Sequence, residues 1–401
     1  MTAVLRNWTF AILWLFTLTI PWEAAVEELP WVGTLSRTIG LLAVPVAVLA
    51  LAVGGRRRRL LDTHVIMLVL AGWTLVSVAW SIGPDVTLQT AATMFQLVAM
   101  TLMLWEFMRE SRRHRQLLWA FVGGAFIGSI AIFFGAPTSS DVVTTQYVRV
   151  SQGGVNANYA ALVFSLAIPV AWHLSLTSPG LLQRWIAGLY VPTAAVAVVL
   201  TGSRGGLVTL LLALSIVLLT LHISDLRLKV FALISLPLSI VVIANFVPTQ
   251  TIDRLETIPT ELATGTLGER SQAWEASWEI FAAHPVLGVG AGASRFRIEP
   301  RLGREQGPHN TYLSIGADLG TVGLGLFLLL LLSVAARWLS LQGRERQVVG
   351  VLLITLMVGL LPGHLEYRKV TWVVIAIIIS EAARAQRTAL YRLPARKVSI
   401  P

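Results

Sequence analysis

Apolar residues in this chain fall into runs of about twenty, separated by short polar stretches. As an α-helix, a run of that length crosses a hydrocarbon core of about 30 Å. Read in windows of about nineteen residues, the pattern predicts spans near 6–20, 32–53, 60–80, 87–108, 116–134 and 156–176. The second half adds 182–200, 205–222, 228–247, 312–336, 346–362 and 370–386. One stretch departs from this rhythm, the long loop at 248–310, where the period becomes that of an amphipathic helix. Thr266 and Glu269 have the spacing of a capping box and Pro285 lies beyond the helix end. Trp274, Trp278 and Phe281 share one face, with Gln272, Glu275 and Glu279 opposite.

Composition supports that pattern. The 401 residues are 55% hydrophobic and only 13% charged, against about 25% charged in soluble domains, which excludes a water-soluble enzyme. The net charge of +10 would by itself suggest a nucleic-acid partner, but in a membrane chain basic loops mark the cytoplasmic side. Twelve spans put both termini on one face. Most of the 31 Lys and Arg then lie on that face, including Arg56 to Arg59 and the cluster from Arg109 to Arg115. The expected arrangement is a single membrane-embedded domain over 1–401 with both termini cytoplasmic, the bilayer as partner and no nucleic acid. The first run, which contains Trp8 and Trp14 and lacks a small-residue cleavage site, is expected to be a retained helix. Trp22, Trp31, Trp80, Trp105, Trp119, Trp185, Trp338 and Trp372 fall near span ends, as an interfacial belt would. With no cysteine, disulfides and thiolate chemistry are excluded.

Topology narrows the chemistry to the outer face. His284 precedes Pro285 at a helix end, where a structural cap is the simpler reading. His364 shares a short loop with Glu366, Arg368 and Lys369, either as a solvated turn or as part of a site. His309 stands where the long loop meets the tenth span, with Asn310 or Thr311 as N-cap. Within that span Gly316 and Gly320 make a GxxxG step for close approach of a helix or lipid chain. Asp318, about two turns in, is either functional or a structural hydrogen bond to a neighbouring helix. Arg204 interrupts the inner bias inside Thr201-Gly202-Ser203-Arg204-Gly205-Gly206, where the glycines would open guanidinium and backbone N–H groups to phosphate oxygens. Arg270 lies at the edge of the aromatic face of the loop helix. The stretch from Gly288 to Ala293 has the letters of a dinucleotide fingerprint but no strand before it, so it reads as a tight turn. The outer segments hold no metal-binding motif, and no metal or other cofactor is expected.

Three motifs in one order, SRGG from Ser203, GERSQAWEASWEIFAAHPVLGVGAG from Gly268 and PHNTYLSIGADLGTVGLGLF from Pro308, resemble the O-antigen ligase and polymerase superfamily of bacterial polysaccharide assembly. The resemblance covers about 201–327, with Asp318 where the family usually has glutamate. It implies an all-α, GT-C-like polytopic fold with one large periplasmic loop in the inner membrane. The implied reaction is an inverting, metal-independent glycosyl transfer from undecaprenyl diphosphate, in the ligases to the outer core sugar of lipid A-core. Carried over by motif, Arg204 and Arg270 would bind the diphosphate, and His309 would act on the acceptor hydroxyl or assist the leaving phosphate. A polymerase using the same donor is the alternative within the superfamily. A secondary transporter is the alternative outside it, and would call for paired ionisable residues near the midplane or for broken helices; neither is expected from this sequence.

Overall fold

A bilayer core supplies no water to hydrogen-bond a bare main chain, so apolar runs satisfy their backbone internally as helices. In the computed structural model, which describes residues 2–23, 34–53, 57–134, 156–247, 249, 251–252, 270–302 and 307–392, each predicted span is a helix. They are α1 (Thr2–Thr19), α2 (Leu35–Val53), α3 (Asp62–Val76), α4 (Pro84–Phe107), α5 (Ser111–Phe134), α6 (Ala157–Thr177), α7 (Leu181–Leu200), α8 (Arg204–Thr220) and α9 (Leu226–Phe246). The long loop contributes α10 (Arg270–Ala283) and α11 (Arg295–Leu302), and the chain continues through α12 (Thr311–Leu339), α13 (Gly343–Gly359) and α14 (Lys369–Arg392). Among the described residues no strand occurs, and nine helices are long and apolar enough to cross a membrane. The protein is an all-helical, multi-pass membrane protein. Trp31, Arg56 and the capping pair Thr266 and Glu269 lie outside the described residues.

Ion pairs tie the helix ends together. At the end of the bundle away from the long loop, Arg6 of α1 meets Glu106 of α4 at 3.1 Å and Arg337 of α12 meets Asp62 of α3 at 3.1 Å. There, too, Arg184 of α7 meets Asp225, the N-cap of α9, at 2.9 Å. His114 in the first turn of α5 lies 2.7 Å from Glu381 of α14, which Arg384 also engages. At the loop end, Lys369 of α14 holds Glu23 after α1 at 2.9 Å and also bonds Thr34 and Ser36. Two tryptophans assigned to an interfacial belt are instead buried in protein. Trp105 lies under the Arg58 guanidinium, 3.2 Å from its ring centroid, and Trp372 donates its indole N–H to the Glu366 carbonyl at 2.8 Å. Each ring found inside the bundle the polar partner that a belt tryptophan takes from the headgroups. Trp80, Trp119, Trp185 and Trp338 stay half-buried.

The largest departure from the expected pattern is in α12. Of the GxxxG step only Gly316 receives a neighbouring helix, through Phe281 of α10, because the helix breaks at Gly320, where φ is 65° and ψ −165°. The glycine-rich turn after α10 wedges into the break. Val289 N–H donates to the Ala317 carbonyl at 3.1 Å, Gly290 N–H to the Asp318 carbonyl at 2.8 Å, and Thr321 N–H to the Pro285 carbonyl at 2.7 Å. The Trp73 indole N–H takes the Leu319 carbonyl at 3.2 Å. Asp318 completes the joint, its carboxylate accepting Gly292 N–H at 2.8 Å and Ser294 N–H at 3.0 Å. It is therefore structural, bonded to a loop rather than to a helix. A side chain at Gly320 would run into the Val286 carbonyl, so glycine is required there for space as well as for its positive φ.

An alanine at Asp318 leaves two buried N–H groups without an acceptor, at about 1–3 kcal/mol each. Asp318→Ala should melt well below wild type in detergent, with Asp318→Asn, which keeps one acceptor oxygen, in between. An unchanged melting temperature for Asp318→Ala would mean that the turn is held by other contacts.

Candidate functional site

Among the described residues, two of the cavities in the bundle are large enough for a ligand. The larger, about 740 Å³ between α7 and α9, is lined almost wholly by apolar side chains such as Leu189, Phe231 and Leu238. The smaller, about 380 Å³, lies at the loop end and gathers residues from four stretches distant in sequence: Asn156 to Leu162, Gly205 to Thr209, Gly307 and His309, and Gly359 to Arg368. Apolar walls with a few convergent polar groups are the usual make-up of a binding site.

The first wall is the start of α8. Ser203 caps it, its Oγ accepting Gly206 N–H at 2.9 Å while donating to Asn158 Oδ1 at 2.6 Å on α6. Arg204 follows as the first helical residue, half-buried at the cavity end of α8. The glycines around it admit protein rather than ligand. A Cβ on Gly206 would meet Ala161 of α6 and one on Gly205 would press on Pro362, and the Gly206 N–H is already bonded to Ser203. The expectation that backbone N–H groups beside Arg204 stand open to phosphate is thus corrected at Gly206.

The second wall is the start of α12. Asn310 is its N-cap, with Oδ1 accepting Tyr312 N–H at 3.0 Å and Leu313 N–H at 3.1 Å. His309, one residue earlier, takes a left-handed φ of 47° and lines the cavity. The third wall, the turn from α13 to α14, is stitched to α12. Thr311 N–H donates to the Leu360 carbonyl at 3.0 Å, and Thr311 Oγ1 donates to the Gly363 carbonyl at 3.0 Å while accepting Leu365 N–H at 3.1 Å. This turn brings His364 and Arg368 to the cavity. The Arg368 guanidinium sits 5.5 Å from the Tyr159 ring centroid. His364 Nε2 lies 2.8 Å from Glu366 Oε1 and 3.2 Å from Ser314 Oγ. Burial alone would lower the His364 pKa; the Glu366 carboxylate outweighs it and, with Asp318, raises it above its ordinary value against the opposing charge of Arg368.

His309, His364 and the start of α8 through Gly205 and Gly206 thus converge on one cavity, and Arg204, one residue earlier, is not among the residues that line it. Arg270, half-buried at the start of α10, is not among the residues that line it. Its helix packs on α12 through Ala273, Ala276, Ser277 and Ile280, with Phe281 against Gly316. On the aromatic face predicted for that helix, Trp278 is 58% exposed while Trp274 and Phe281 are half-buried. His284 ends the helix as expected, its Nε2 2.9 Å from Arg297 Nη1. Sequence reading did not assign Arg368, Glu366 or Tyr159 to a site. The available signal was the pair of cations Arg368 and Lys369 on the sparsely basic face. Lys369 proves to be an anchor for Glu23, and Arg368 the one that faces the cavity.

Fold and cavity together define a membrane protein with a cationic, histidine-bearing cavity at one end of its helix bundle. Residues 189–328 match the family model described as O-antigen ligase. That match, about a third of the chain, places this region in the O-antigen ligase superfamily, with a ligase- or polymerase-type function in polysaccharide assembly. It spans Arg204, Arg270, His309 and the wedge at α12, while His364, Glu366 and Arg368 lie beyond it. No curated protein matches the chain.

Loss of the α12 cap should cost about 1 kcal/mol and free the chain that carries His309. Asn310→Ala should therefore melt lower than wild type, with Asn310→Asp restoring most of the loss. Equal melting of all three would show that the stitching to Leu360, Gly363 and Leu365 holds the helix start without the cap.

Proposed function

We propose that this protein is an O-antigen ligase, transferring O-antigen polysaccharide from undecaprenyl diphosphate to the outer core sugar of lipid A-core, with inversion and without a metal ion. The observation that carries the reading is the convergence of one arginine, Arg368, and two histidines, His309 and His364, on one cavity at the end of long apolar helices, with Arg204 one residue before the cavity-lining Gly205. A lipid-linked diphosphate presents its anion at that level while its tail stays in the bilayer. In this reading both termini are cytoplasmic, the cavity faces the periplasm, and 1–401 acts as one membrane-embedded domain in the bacterial inner membrane.

In glycosyl transfer from a diphosphate, negative charge builds up on the leaving phosphate oxygens. Guanidinium groups fixed in advance stabilise that charge where it develops, which is the role assigned to Arg204 and Arg270. Arg270 begins α10 away from the cavity lining, so its part is to meet a donor that extends toward the loop. Histidine is the side chain suited to proton transfer near neutrality, and His309 is assigned that part on the acceptor hydroxyl or the departing phosphate. A polymerase extending the glycan on its carrier would use the same donor machinery.

Reconstitution with lipid-linked polysaccharide and purified lipid A-core, with and without a chelator, tests the reading. Chelator-insensitive transfer is expected, and strict metal dependence would overturn the mechanism. His309→Ala and Arg204→Ala should insert normally yet lose about 10²–10³-fold in transfer, the usual cost of one such group at about 2.7–4 kcal/mol. Near-wild-type transfer by the His309 variant would remove it from catalysis. Arg270→Ala should lose transfer as well, and full activity would confine donor binding to the cavity. Lipopolysaccharide from a deletion strain separates ligase from polymerase: loss of all O-antigen on core is the ligase result, a single retained repeat the polymerase result.

A further inference from the structure

The turn from α13 to α14 carries a buried carboxylate that structural needs do not account for. Glu366 is 1% exposed, and beside its carboxylate stands the imidazole of His364, with Nε2 2.8 Å from Oε1. A carboxylate kept this dry is costly unless it works with its partner. The imidazole is held as well as the carboxylate. Ser314 approaches the same nitrogen at 3.2 Å, and the turn is pinned by Thr311 on one side and by Thr371 Oγ1 donating to the Leu365 carbonyl at 2.9 Å on the other. With Nε2 turned to Glu366, Nδ1 is the nitrogen left for chemistry. It lies next to Gly307, where a Cβ would come within 2.7 Å of it, and both residues line the cavity that holds His309.

Building on the ligase reading above, we propose that His364, oriented by Glu366, is the base that takes the proton from the acceptor hydroxyl. The hydroxyl proton passes to His364 Nδ1 as the oxygen's electron pair forms the new bond to the anomeric carbon. The bond from that carbon to the diphosphate oxygen breaks, and its electron pair leaves with the diphosphate. Glu366 is a positioning residue: it fixes the tautomer with the proton on Nε2 and stabilises the imidazolium that results. This gives His309 the second of its two possible roles, at the departing phosphate beside Arg204.

The groups that set the charge of His364 are Glu366 and Arg368 on its own turn and Asp318 on α12; Tyr159, His309 and Tyr367 are the other titratable residues that share its cavity. A base must be unprotonated to act, so kcat should rise with pH through its pKa. Glu366 raises that pKa, and its removal should therefore move the acid limb of the profile to lower pH.

The test measures kcat against pH for the full-length protein in proteoliposomes with lipid-linked polysaccharide and lipid A-core, comparing wild type, His364→Gln, Glu366→Gln, His309→Ala and Arg204→Ala. His364→Gln should lose about 10²–10⁴-fold in kcat, the range of a general base, and Glu366→Gln should lose less while its acid limb shifts to lower pH. A side chain needed only for packing would not move that limb. Should His364→Gln fail to fold, the limb of Glu366→Gln decides alone. Transfer by His364→Gln within about threefold of wild type, or an unmoved limb in Glu366→Gln, overturns the proposal; if Arg204→Ala and His309→Ala are inactive in the same assay, the ligase reading survives it. Absence of transfer by wild type, or full transfer by the Arg204 and His309 variants, overturns the ligase reading and this proposal with it.

Discussion

A helix broken at membrane depth must find partners for the main-chain groups it releases, and in this protein the rest of the loop end depends on how α12 meets that demand. The carbonyls of Ala317 and Asp318 are taken by the turn after α10, the Leu319 carbonyl by Trp73, and Thr321 N–H by the Pro285 carbonyl. Asp318 uses its side chain to hold the same turn. The wedge therefore does two things at once. It gives α10 and α11 a fixed seat on the bundle, and it sets the angle of the short first part of α12, at whose start Asn310 and His309 stand.

The two ends of the bundle are built by different means. Away from the loop, guanidinium and carboxylate groups pair across helix ends, with Arg6, Arg184, Arg337 and Arg384 each matched to an acid. At the loop end much of the fastening is done by hydroxyls, an amide and backbone, through Ser203, Asn158, Asn310 and Thr311. Neutral fastening leaves Arg368 to line the cavity, while the neighbouring Lys369 is held by Glu23. Fastening with uncharged groups leaves the positive potential of Arg368 at the cavity unspent on internal acids.

The helices were legible because a twenty-residue apolar run has few alternatives to spanning, and all twelve predicted spans are helices in the structure. The break in α12 was not. Gly316 and Gly320 carry the same letters as a packing step, and only the register of the turn from Gly288 to Gly292 against Asp318 tells them apart. That break also corrects the expectation that no helix is interrupted, although the interruption is single and filled by protein. His309, Asn310 and the start of α8 were readable from local signals: a cap, a glycine-rich turn and a cation on the sparsely basic side. His364 and Glu366 were not, because their meaning comes from contacts some fifty residues away, through Thr311 and Ser314. The burial that makes Glu366 informative is a property of tertiary packing alone. In α10 the seat on α12 is made by Ala273, Ala276, Ser277 and Ile280, a face of mostly small residues that the aromatic stripe does not announce.

The third wall of the cavity comes from the turn between the last two described helices, while the first comes from α6 and α8. A chain threaded into the bilayer from its N-terminus therefore carries Arg204 and His309 through most of its assembly with the cavity still open on one side. Only when α13 and α14 are in place does the stitching through Thr311 bring His364 and Arg368 to it. Completion of the site is thereby tied to completion of the bundle, so partly inserted chains hold no finished pocket in which a reactive lipid-linked glycan could be engaged out of turn.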